Sequence, residues 1–211
     1  MKLFASLDPY TYDQAKEYLD EIYDYIDGVK CGGIFYFTSG FQVFEKFKKE
    51  YPKLEILIDT QISDGGDFCS MEAFNHGADY ATVFNGCDNI TISGAVDSAN
   101  KVGKHSLIDM IGCSRFVERV KELEKLDVRD IYIHTPDDRP DTHAETFEKI
   151  KLAKLVAPNI QIVMSGGVKV ETIEEVAKLG AEVIICGSAI TSNPNRLENV
   201  KKIAGILKGA K

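Results

Sequence analysis

The sequence predicts a single (β/α)₈ barrel spanning residues 1–211, and three observations carry that expectation. Eight short apolar runs of strand length recur roughly every 22–30 residues along the whole chain, close to the spacing of an eightfold βα repeat. Charged, amphipathic stretches of helical period lie between them, so successive strands are parallel rather than hairpin partners. No linker or shift in composition divides the chain, which argues for one domain. A doubly wound open sheet is the runner-up, but it normally uses fewer strands.

The elements follow in order. The run KLFASL (2–7) leads into YDQAKEYLDEIYDYI (12–26), and DGVKCG (27–32) is followed, after an aromatic stretch, by FEKFKKEY (44–51). LEILID (54–59), DYATVF (79–84) and HSLIDM (105–110) come next, the last before VERVKELEKL (117–126). DIYIHT (130–135), IQIVMS (160–165) and EVIICG (182–187) complete the strands, with ETIEEVAKLG (171–180) before the eighth. The helical stretches place apolar residues at i, i+3, i+4 and i+7 with charges opposite. HGADYATV, LGAEVIIC and KLDVRDIYI each run from a helix end through a tight turn into a strand.

Composition excludes several classes of function. Hydrophobic residues make up 44% and charged residues 27% of the 211 residues, a globular rather than disordered balance. The formal net charge of −8 argues against a nucleic-acid or anionic-membrane surface, while leaving room for a local phosphate pocket. The five cysteines, Cys31, Cys69, Cys87, Cys113 and Cys186, are scattered and suggest neither a disulfide framework nor a zinc site. Free thiols, no signal-like start and no apolar run of spanning length point to a cytoplasmic protein.

In such a barrel the chemistry belongs at the C-terminal strand ends. Asp8, Lys30, Asp59, Gln61, Asp64, Asp109 and His134 all fall at or just beyond those ends. Structural roles also fit some of them: Asp8 before Pro9 as a helix cap, Asp64 before Gly65-Gly66 as a turn residue, Asp109 as a buried acceptor. Lys30, inside an apolar strand, demands a carboxylate partner. Ser165-Gly166-Gly167 and Cys186-Gly187-Ser188 follow the last two strands. Their glycines let backbone N–H groups approach an anion, with a following helix N-terminus adding its positive end. These loops are the expected phosphate site, although tight βα turns alone would look the same.

From Leu3-Phe4-Ala5-Ser6-Leu7-Asp8 to Gly187-Ser188-Ala189-Ile190-Thr191, the chain resembles the orotidine 5′-monophosphate decarboxylase superfamily. Asp64-Gly65-Gly66, Ile108-Asp109-Met110-Ile111 and Ile133-His134-Thr135 are similar to its 3-hexulose-6-phosphate synthase and 3-keto-L-gulonate-6-phosphate decarboxylase branch. The resemblance implies a ribulose-phosphate-binding barrel, a homodimer, and carbon–carbon lyase or synthase chemistry on a ketose phosphate through an enediolate. It implies roles for Asp8, for Asp59 and Asp64 of a D-x-K-x-x-D motif, for His134 in proton transfer, and for Asp109 in lining the pocket. Gln61, Gly166, Gly167, Gly187 and Ser188 are the expected substrate contacts.

Two positions depart from that pattern. The strand-two glutamate that helps Asp59 hold Mg²⁺ is Lys30 here, and the motif lysine is Gln61. A lysine on strand two marks the orotidine decarboxylase branch, which also needs the motif lysine as proton donor, a role glutamine cannot take. Mg²⁺ binding is therefore expected to be weak or absent. Three readings remain: Lys30, paired with Asp59 and Asp64, replaces part of the metal's role in lyase chemistry; Lys30 forms a Schiff base; or the barrel binds a phosphorylated ligand without catalysis. Arg139, in the acidic, Pro-rich loop after the sixth strand, reads as a surface residue, and Ile34-Phe35-Tyr36-Phe37 as a pocket wall or subunit contact.

Overall fold

The computed structural model describes every residue except Pro9, Asp137, Pro140, Asp141, Ala210 and Lys211. Among the described residues, eight parallel strands close into a barrel in chain order, the first pairing with both the second and the eighth. They are β1 (Lys2–Ser6), β2 (Gly28–Cys31), β3 (Glu55–Ile62), β4 (Tyr80–Phe84), β5 (His105–Asp109), β6 (Asp130–His134), β7 (Gln161–Ser165) and β8 (Val183–Cys186). Outside them lie α1 (Tyr12–Ile22), α2 (Gly33–Ser39), α3 (Val43–Glu50), α4 (Gly66–Asn75), α5 (Asn89–Val102), α6 (Phe116–Lys125), α7 (His143–Val156), α8 (Ile173–Lys178) and α9 (Arg196–Gly209). The barrel expected from the sequence is the barrel found.

Period-two alternation divides the core. Phe4, Leu57, Tyr80, Leu107, Tyr132, Val163, Val183 and Ile185 fill the barrel interior. Leu3, Ala5, Val29, Ile56, Ile58 and Ile108 face outward into the larger core beneath the helices. Continuing the inward set one step toward the C-terminal ends brings Ser6, Lys30, Asp59, Thr82, Asp109, His134 and Ser165 to the mouth. The apolar floor beneath them is what makes that ring of polar side chains a site rather than a pore.

Two segments differ from the sequence reading. The aromatic stretch after the second strand forms α2, with Phe35 buried and Ile34 and Phe37 exposed. β3 runs three residues further than expected, because its pairing with β4 shifts register between Ile58 and Ile62. Within that irregularity Gln61 has φ 44°, a left-handed conformation that costs a non-glycine residue on the order of 1 kcal/mol.

At the opposite end, carboxylates pin the strand starts. Asp27 accepts from Leu3 N at 2.9 Å, Asp79 from Ile56 N at 2.8 Å, and Glu182 from Ile162 N at 2.6 Å. Asp79 also takes Lys48 and Lys104 Nζ, each at 2.6 Å. Burial pushes the Asp79 pKa up, but Lys104, Lys48 and the Ile56 amide outweigh it and hold it below the ordinary value. The stabilisation is present above the unfolded carboxylate pKa of about 3.9 and fades as pH falls through the lower folded value. Asp79→Ala is expected to cost about 2–4 kcal/mol at pH 7 by stranding two ammonium groups and a strand amide. Urea unfolding at pH 7 and pH 3 checks this, since the gap to the parent protein should narrow in acid.

Candidate active site

Lys30 is the centre of the mouth. β2 carries its side chain inward, where Nζ pairs with Asp8 Oδ2 and lies 3.0 Å from Asp59 Oδ2. Asp8 follows β1 and also accepts from Ser6 Oγ at 3.0 Å. Asp59 in β3 accepts the Thr82 hydroxyl through Oδ1 at 2.8 Å. Thr82 is fully buried in β4, and its own oxygen accepts the Gln61 amide N–H at 2.8 Å. Burial disfavours the Lys30 ammonium, but the negative charges of Asp59 and Asp8 and the Asp8 hydrogen bond outweigh it. They hold its pKa well above the ordinary lysine value.

This arrangement corrects one expectation. Lys30 pairs with Asp8 and Asp59, not with Asp64. Because β3 continues to Ile62, Asp64 lies past the strand end on the exposed rim, its Oδ1 accepting the Gly65 N–H at 2.8 Å.

A second polar group occupies the β5–β6 side. Asp109 is completely buried; its Oδ1 accepts Ile111 N at 3.0 Å and contacts His134 Nε2 at 3.1 Å, while Oδ2 accepts the Gln61 side-chain amide at 3.2 Å. At the mouth Asp109 is thus enclosed by protein donors rather than left open to solvent. The His134 ring stacks on Tyr132, centroids 4.4 Å apart and planes 8° off parallel. The Tyr132 hydroxyl is 2.8 Å from Ser165 Oγ, and burial drives its pKa well above the ordinary phenol value. Gln61 joins the two groups, its backbone N–H donating to Thr82, which donates to Asp59, and its side chain donating to Asp109, which contacts His134.

Asp8, Lys30, Asp59, Gly187 and Ser188 line one cleft of about 690 Å³, large enough for a sugar-phosphate-sized ligand. The Ser188 and Ala189 amides have no hydrogen-bond partner among the described residues, nor do those of Gly166 and Gly167. Gly166 and Gly167 have φ 93° and 71°, and a Cβ on Gly166 would fall 2.5 Å from Thr135 Oγ1. These loops present N–H donors, but helix dipoles contribute little directly: α8 and α9 begin at Ile173 and Arg196, several residues beyond the glycines. The donors belong to the loops themselves.

Gly32 sets the close packing at the other wall. A Cβ there would collide with Asp8 Oδ1, an oxygen already buried without a hydrogen-bond partner among the described residues. Gly32→Ala is expected to displace Asp8 from Lys30 and to reduce turnover about 10- to 100-fold by misplacing a site group. Steady-state kinetics beside a circular-dichroism melt checks that the loss is local.

The residues present do not fit Mg²⁺. An octahedral oxygen-loving cation requires several oxygen ligands, whereas Asp8 and Asp59 are committed to an ammonium group standing among them. Among the described residues no group of three or more His, Cys, Asp or Glu side chains is placed to hold a metal ion.

The sequence alone does not single out Thr82 or Tyr132, and it marks Ser165 only as the start of a glycine loop. The available signal is parity along inward-facing strand positions: Thr82 two residues after Tyr80, and Tyr132 two residues before His134. Arg139 is exposed, 3.7 Å from Glu145; Asp137, Pro140 and Asp141 of its loop lie outside the described residues. The five cysteines are free. No helix among the described residues is long and apolar enough to cross a membrane.

Comparison with known proteins accords with this geometry. A 3-hexulose-6-phosphate synthase from Bacillus subtilis (strain 168) is 32% identical over 207 residues, covering 98% of this chain and 99% of the relative. The crystal structure of 3-hexulose-6-phosphate synthase from Salmonella typhimurium superposes with a TM-score of 0.95 at 31% identity, covering all of both chains. The 3-keto-L-gulonate-6-phosphate decarboxylase from Vibrio cholerae shares the fold, with a TM-score of 0.87 at 19% identity over 100% of this chain and 98% of that one. Residues 1–203 match the family described as orotidine 5′-phosphate decarboxylase / HUMPS, and the chain belongs to that family.

Proposed function

We propose that this protein is a carbon–carbon lyase or synthase acting on a ketose phosphate through an enediolate, with the Lys30 ammonium standing where the family resemblance calls for a metal. The single observation that carries the reading is the Asp8–Lys30–Asp59 cluster lining the same cleft as Gly187 and Ser188. Removing a proton beside the substrate carbonyl moves an electron pair onto its oxygen. A fixed cation beside that oxygen lowers the cost of the developing charge. The enediolate carbon can then attack an aldehyde carbon, forming a carbon–carbon bond, with a proton delivered to the new alkoxide; cleavage is the reverse. Loss of CO₂ from a β-keto acid phosphate would leave the same enediolate, so aldol chemistry and decarboxylation share the machinery. His134 is the candidate group for the proton transfers.

The loop amides of Gly166, Gly167, Ser188 and Ala189 would hold the phosphate. A non-catalytic binding barrel is the weaker reading, since relatives at 32% and 26% identity are named as synthases. A Schiff base on Lys30 is disfavoured because its neighbours keep the amine protonated. Ile34 and Phe37 on α2 line the cleft as a pocket wall, while exposed Phe68 on α4 and Ile90 on α5 support a homodimer as the working unit, and the free thiols support a cytoplasmic setting.

A panel of ketose phosphates, assayed with and without aldehyde in EDTA and in Mg²⁺, tests the reading. Turnover that survives EDTA is expected. Binding without turnover, or activity that always requires Mg²⁺, would overturn it.

A further inference from the structure

We infer that Gln61 and Asp109 are positioning residues that hold His134 as the Nε2–H tautomer, making Nδ1 the atom that exchanges protons with the substrate. The inference rests on the lyase reading for the word substrate, but its structural content stands separately.

The hydrogen bonds around Asp109 fix the tautomer. Both oxygens of this buried carboxylate already accept protein N–H groups, Ile111 N on Oδ1 and the Gln61 amide on Oδ2. A carboxylate so surrounded is an acceptor, so the His134 nitrogen 3.1 Å from Oδ1 must carry the hydrogen. The neutral ring then bears its lone pair on Nδ1, on the edge turned away from Asp109. Stacking on Tyr132 fixes the plane of the ring, and Tyr132 is itself tied to Ser165. One contact therefore sets the edge of the imidazole and another its face. A carboxylate that orients a histidine in this way raises the rate without touching substrate.

Gln61 completes the device at a conformational cost. Its φ of 44° is a region where glycine is at ease, yet a glycine has no side chain to reach Asp109. The strained backbone swings the amide from β3 across to β5, and the Gln61 N–H is secured on Thr82 Oγ1. The neutral amide also supplies a donor without adding a second cation near Lys30, which a lysine at this position would do. Strain retained at a site where one specific side chain is used is the pattern expected of function.

The experiment is ¹⁵N NMR of His134 in the ligand-free protein, in Gln61→Leu and in Gln61→Lys, with steady-state kinetics on the same samples. The parent protein should show a protonated Nε2 and an unprotonated Nδ1. Gln61→Leu should lose that single tautomer and lower kcat roughly 10- to 100-fold with KM little changed, as loss of an oriented acid–base group requires. Gln61→Lys, which can still donate to Asp109, should keep the tautomer. A parent protein with the hydrogen on Nδ1, or a Gln61→Leu spectrum identical to the parent's, overturns the inference. If no ketose phosphate is turned over by any form, the lyase reading fails while the spectra still decide this one. A circular-dichroism melt of each variant separates a lost fold from a lost orientation.

Discussion

Lys30→Met is expected to reduce kcat/KM on a ketose phosphate by about 10³-fold or more, since in the proposed mechanism it removes the fixed cation beside the developing oxyanion. Methionine matches the stem of lysine in length and fills the same space, so packing is not the variable. What changes is charge. The Asp8 and Asp59 side chains are only 25% and 10% exposed, and without Lys30 both face each other with little water to screen them. Breaking a largely buried ion pair from one side costs about 3–5 kcal/mol, and the exposure of Asp8 places the expected value toward the lower end. The pH dependence follows from the raised Lys30 pKa. Stability supplied by a raised base is complete below its unfolded value near 10.4 and is lost only as pH climbs through the higher folded value. The gap between parent and variant should therefore stay flat from roughly pH 6 to pH 9 and close in alkali. Urea unfolding across that range, with kinetics at pH 7, measures both effects. A variant as stable and as active as the parent would remove Lys30 from the centre of the site.

The barrel was legible because its signal is repeated eight times, and each strand run needed only length and apolar character to be seen. Lys30 was legible for the opposite reason, as a charge that interrupts such a run. Its choice of partner was not. Whether it meets Asp59 and Asp8 or Asp64 depends on a register irregularity in β3 that carries the strand to Ile62 and leaves Asp64 on the rim. Nothing in Asp59-Thr60-Gln61-Ile62-Ser63-Asp64 announces a left-handed glutamine. Thr82 and Tyr132 were hidden differently, as ordinary strand residues whose importance appears only when parity places them beside Asp59 and His134. Likewise Gly166 and Gly187 marked the loops, but the late starts of α8 and α9 depend on the intervening turns, where Thr172 Oγ1 donates to Gly167 O and Thr191 N to Gly187 O.

Lys30→Glu inverts the charge at the centre and should change the protein's requirement for a cation rather than merely disable it. The introduced carboxylate would then converge with Asp8 and Asp59, and at separations near 4 Å each pair of like charges repels by about 1–4 kcal/mol depending on local screening. The metal-free variant is expected to melt well below the parent. Three carboxylates also form a set of hard oxygen donors of the kind Mg²⁺ accepts. Mg²⁺ at about 100 times its dissociation constant would return roughly 2.7 kcal/mol to the folded state, so the variant's Tm should rise with added Mg²⁺ while the parent's stays fixed. Adding Gln61→Lys supplies an ammonium that can donate to Asp109, and the double variant should turn over ketose phosphates in an EDTA-sensitive manner. A Tm for Lys30→Glu that ignores Mg²⁺, or an equal Mg²⁺ response in the parent, would show that the ammonium does not stand in a cation's place. If the Mg²⁺ response appears without turnover in the double variant, then Lys30 does occupy that place, and the barrier to catalysis lies on the Asp109–His134 side instead.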